Sequence, residues 1–106
     1  MSKKKQPKEE KSMIGKIIDL PMEDFERELV EQKVNIGTMN NLILNLEAIY
    51  FDLRQRKDVL MQSVFEGRLT KEETDEPIKG IYAEMIKLEQ KITYLKAKVK
   101  ELSDVG

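Results

Sequence analysis

Eight apolar residues at alternating spacings of three and four run through the C-terminal part of the chain: Ile78, Ile81, Met85, Leu88, Ile92, Leu95, Val99 and Leu102. A mean step of ~3.5 residues is close to one α-helical turn, so all eight share a single stripe, as in a coiled-coil seam. A strand, with side chains alternating at period two, would scatter them over both faces. The spacing predicts a helix over about 77–103, with Pro77 at its first position and Thr74 or Asp75 near its cap. Glu84, Glu89, Lys91, Lys96 and Lys98 flank the stripe.

A second stripe precedes it. Met22, Phe25, Leu29, Gln32, Ile36, Met39, Ile43, Leu46, Tyr50, Leu53, Lys57, Leu60 and Val64 follow the same alternation, and only Gln32 and Lys57 are not apolar. Pro21 suits a helix start, Asp19 can cap it, and Glu23, Asp24 and Glu26 suit its positive end. Gly37 is the weak point, because glycine inside a helix costs ~1 kcal/mol relative to alanine. The stripe keeps its phase across Asn35-Ile36-Gly37-Thr38, so one continuous helix over about 21–66 is expected. Gly67 is placed to end it. Residues 67–76 then form the connector, where Thr70 and Glu73 match a capping box.

A connector this short makes the helices antiparallel neighbours. The fold class is therefore all-α: an antiparallel coiled-coil hairpin with a long first helix and a shorter second one. Pairing the stripes brings Tyr50 near Ile92, Leu46 near Leu95, and Lys57 opposite Met85. Residues 21–106 form the hairpin. Residues 1–12 are expected to be a flexible basic tail, and 13–20, with Met13, Ile14, Ile17, Ile18 and Leu20, an apolar docking segment. At ~1.5 Å per residue the first helix outreaches the second by roughly 25 Å. Met22, Phe25, Leu29 and Ile36 then lack an intrachain partner. Leu42, Leu44, Ile49 and Phe51 lie outside the main stripe and widen the apolar face. These eight residues are the expected partner-binding set, because a contiguous exposed apolar patch marks an interaction surface.

Composition narrows the chemistry. The 106 residues carry a formal net charge of −1, with 37% charged and 40% hydrophobic residues, which suits helices with mixed-charge outer faces. There is no Cys and no His. Disulfides, thiol catalysis and the usual zinc sites are thereby excluded. Glu23, Asp24, Glu26, Glu28 and Glu31 have helical spacing, but Arg27 sits among them and a solvated face is expected. The acidic run Glu72 to Glu76 lacks the spaced ligands and central glycine of an EF-hand. Tyr50, Tyr82 and Tyr94 lie on or beside the stripes, and packing is expected of them. No phosphate-binding glycine loop, nucleophile elbow or triad set is present, so no enzyme, cofactor or metal is expected.

Lys3, Lys4, Lys5, Lys8 and Lys11 could contact phosphates by counterion release, although Glu9 and Glu10 dilute their charge. A helix-turn-helix over Phe25 to Leu46 would present a recognition helix, Met39-Asn40-Asn41-Leu42-Ile43-Leu44, without Arg or Lys. No apolar run reaches the ~20 residues of a membrane span, and the N-terminus does not have the pattern of a secretory signal. A cytoplasmic protein is expected, free or within a virion or other large assembly. The expected function is helical interaction: self-association, or docking on another helical protein, as a structural or assembly component of a larger viral or cellular complex. The alternatives are a nucleic-acid accessory factor using the lysine tail, and a small regulator of one host enzyme.

Overall fold

The computed structural model describes residues 15–105. A helical turn over residues 15–18 leads into α1 (Met22–Glu31), α2 (Ile36–Phe65) and α3 (Lys71–Val105). The helical hairpin expected from the two stripes is formed by α2 and α3, which pack against each other along their seams. The longest dimension, 53 Å, is that of the 35-residue α3 at ~1.5 Å per residue. Cross-hairpin contacts confirm the antiparallel register: the Lys96 ammonium is 3.1 Å from Glu47, and the Tyr50 hydroxyl donates to Glu89 at 2.7 Å. The Lys57 stem lies in the seam and its ammonium sits 5.3 Å from the centre of the Tyr82 ring.

The connector follows its residues closely. Gly67 adopts φ +81°, the left-handed conformation that only glycine takes without a Cβ penalty. The Gly67 N–H donates to the Val64 carbonyl and the Arg68 N–H to that of Ser63, at 3.0 and 2.9 Å. This pair of bonds is a Schellman motif, which satisfies two orphan carbonyls at the end of α2. Three residues on, the Thr70 hydroxyl accepts the Glu73 N–H and the Glu73 carboxylate accepts the Thr70 N–H, at 3.1 and 2.9 Å. That reciprocal box starts α3 at Lys71, six residues before Pro77. The expected start at Pro77 is thus corrected. The box satisfies two orphan donors outright, while Pro77 inside the helix forgoes only its own bond. Thr74, buried in the first turn, donates its hydroxyl to the Lys71 carbonyl.

The second correction concerns the first arm, which is not one helix over 21–66. It breaks between Glu31 and Ile36. The break is another Schellman motif, with Lys33 at φ +50° in the position glycine usually holds. Its N–H donates to Val30 and that of Val34 to Leu29, at 3.1 and 3.2 Å. Leu29 and Val34, both buried, supply the apolar contact that accompanies this turn. The Asn35 side chain then caps α2 by accepting the Thr38 N–H at 2.8 Å. Gly37 lies within the first turn of α2 and takes no part in the break. At the start of α1 no side chain caps the helix: Pro21, not Asp19, occupies the cap position.

The break reverses the chain. Ile18 lies by Lys91, Phe25 by Tyr94, and Leu29 and Val34 by Lys98 and Leu102, so α1 runs alongside α3. One end of the hairpin is therefore a three-helix bundle. Its core holds Ile17, Phe25, Leu29, Val34, Met39, Leu42, Ile43, Leu46, Leu88 and Leu95. The expected overhang does not exist, because α1 folds back over the seam. The arms are also of nearly equal length, 30 and 35 residues.

Candidate interaction surface

Folding back of α1 divides the expected partner-binding residues. Phe25, Leu29 and Leu42 are buried core, and Phe25 meets the Tyr94 ring edge-on at 6.4 Å. Met22 and Ile36 are half-buried at the margins of α1 and α2. Leu44, Ile49 and Phe51 stay in solvent, with Leu44 65% and Phe51 59% exposed. Phe25 and Leu29 are covered because α1, which carries them, folds back onto α3, whereas continuity through Gly37 would have carried them away from it.

The structure adds exposed apolar residues that the spacing argument passed over. Val59, Met61 and Phe65 on α2, and Tyr82 and Ile86 on α3, are exposed, Phe65 to 87%. The clue in the sequence was position off the seam: Val59, Met61 and Phe65 along the second half of the first stripe, Tyr82 and Ile86 along the second stripe. At 100° per residue, Leu44 and Phe51 point away from α3, while Ile49 lies beside the seam and Val59 farther out on that same flank. Each of the latter borders an open cleft. One, of about 470 Å³, is lined by Ile18, Leu20, Met22, Ile49, Leu88 and Lys91. The other, of about 500 Å³, is lined by Asp52, Gln55, Arg56, Val59, Leu60 and Ile81.

Three ionisable groups in and around these faces are perturbed. Lys91, expected as a solvated flank of the seam, is only 7% exposed. Its ammonium donates to the Ile18 carbonyl and lies 5.3 Å from the Phe25 ring centre, tying residues 15–18 to α3. Burial pushes this lysine below its ordinary value, with Asp19 and Glu84 opposing that effect and Lys87 adding to it. The bond to Glu89 raises the Tyr50 hydroxyl. The Glu73 carboxyl is lowered by the backbone bond from Thr70. The three serve the docking of the N-terminal segment, the hairpin register and the start of α3.

Among the described residues no group of three or more carboxylates could hold a metal ion. No helix among them is long and apolar enough to cross a membrane. Glu23, Asp24, Glu26 and Glu31 line the outer side of α1, where Asp24 pairs with Arg27. Lys3, Lys4, Lys5, Lys8 and Lys11 lie outside the described residues, as do Met13 and Ile14 of the expected docking segment. Ile17 of that segment is buried in the core, and Ile18 and Leu20 pack against it. No protein-family model, curated protein or solved structure matches the chain.

Proposed function

We propose that this chain is a non-enzymatic helical interaction protein, one that self-associates or docks on partner helices as a component of a larger assembly. The observation that carries this reading is the set of exposed apolar side chains on the outer faces of α2: Leu44, Phe51, Val59, Met61 and Phe65. They project from a helix whose inner face is already committed to α3. Covering one such side chain is worth roughly 1.5–3 kcal/mol, so these residues supply a driving force for association that the monomer leaves unused.

Sedimentation over a wide concentration range, with a hydrophobic dye added in parallel, tests the reading. Concentration-dependent association or dye binding is expected, and both should fall in a Phe51→Glu, Phe65→Glu double variant. A monomer at every concentration that binds no dye contradicts it.

A further inference from the structure

Along one flank of α2, about 100° round the helix from the seam, six residues follow a 4-3-4-3-4 spacing: Asn45, Ile49, Asp52, Arg56, Val59 and Ser63. At 100° per residue they form one stripe of about 27 Å. All but Ser63 are exposed, and Ser63 is half-buried. Read from either end, the stripe has the same order of kinds: a small polar residue, a branched aliphatic, a charge, the opposite charge, a branched aliphatic, a small polar residue. Its midpoint is level with Arg54, which itself lies on the opposite side of the helix.

From this palindrome we infer that α2 pairs antiparallel with α2 of a second copy of this chain, about a two-fold axis level with Arg54. The inference rests on the helical-interaction reading above and names its partner. A two-fold interface must be self-complementary, because each residue meets its counterpart reflected through the axis. Here the axis sets Asp52 opposite Arg56 of the second copy, Ile49 opposite its Val59, and Asn45 opposite its Ser63. The ion pair and the aliphatic contact each occur twice. The Asp52 carboxylate already lies 3.1 Å from Arg56 of its own chain, so both charges are extended on this face and can be shared across the axis. Val59 borders one cleft and Ile49 the other, and the pairing brings each of these aliphatic side chains to the cleft edge of its neighbour.

Charge reversal tests the pairing, read by sedimentation from micromolar to millimolar concentration with helicity followed by circular dichroism. The full chain is expected to form a dimer that weakens with salt. Asp52→Arg alone, or Arg56→Asp alone, sets like charges opposite each other twice and should weaken the dimer at least about tenfold. An equimolar mixture of the two variants should restore it. Because the chain has no cysteine, Ile49→Cys copies mixed with Val59→Cys copies should cross-link on oxidation, and neither variant alone should. A dimer indifferent to both reversals overturns the inference and leaves the interaction reading standing. A monomer that binds hydrophobic dye does the same. A monomer without dye binding overturns both.

Discussion

At one end of the hairpin Leu46 and Leu95 are wholly out of solvent, while at the other Leu60, Val64, Ile78 and Ile81 hold the same kind of seam position and remain half-exposed. The residues are alike in size and spacing. The difference is α1, which covers the seam at the first end and does not reach the second. Two helices bury only the strip where they touch, and a third is needed to enclose side chains on all sides. The three-helix end accordingly carries the fold. The two-helix end, which holds the connector and the exposed Val59, Met61 and Phe65, is where covering by another helix has most left to contribute.

Substitutions should separate the ends by magnitude. The largest loss is expected at the three-helix end, where Phe25→Ala should cost about 3–5 kcal/mol in denaturant unfolding. Leu60→Ala, at the two-helix end, should cost under about 2 kcal/mol by the same measurement. Equal losses would mean that α1 contributes no more than a surface helix.

The two Schellman turns sharpen the comparison, since they share a hydrogen-bond pattern and differ in the residue at positive φ. Gly67→Ala should destabilise by about 1 kcal/mol, because a Cβ there meets open space and only the backbone conformation resists it. Lys33→Gly should do the reverse and raise stability by about 0.5–1 kcal/mol. It should do so while slowing exchange at the three-helix end, where α1 docks.

The smallest effect expected is local and set by pH. The folded Glu73 carboxyl lies below its ordinary value, so its contribution is complete above the ordinary glutamate range and is lost as pH falls through the folded value. Amide exchange at Thr70 and Glu73 should therefore accelerate on acidification, relative to exchange that follows global unfolding. The effect should vanish in Thr70→Ala, which itself should cost about 1 kcal/mol as a lost helix cap.

Much of the hairpin was legible because its signals are residue-specific. The eight-residue stripe from Ile78 to Leu102 allows only a helix, Gly67 marks its turn, and Thr70 with Glu73 forms the box it spells. The break at residues 32–35 was hidden for physical reasons. Its left-handed residue is a lysine, and Gln32 and Ile36 keep the seam's phase across it. Gly37 drew attention to the wrong place, while Asn35, three residues before Thr38, carried the cap signal. The consequence for the candidate surface was large. A continuous helix leaves Phe25 and Leu29 in solvent, whereas the turn at Lys33 buries them and moves the exposed apolar surface toward Ile49, Phe51 and beyond. The burial of Lys91 was not legible because a lysine beside a seam is ordinarily solvated, and only the docked Ile18 carbonyl makes it intelligible.

The central claim is that the three-helix end is complete in the monomer and the two-helix end is completed by association. Amide hydrogen exchange measured at low and at high protein concentration tests it most directly. The account predicts that residues 39–46 and 88–95 are equally well protected at both concentrations, while residues 49–63 are weakly protected when dilute and gain protection when concentrated. Strong, concentration-independent protection along the whole of α2 would contradict it.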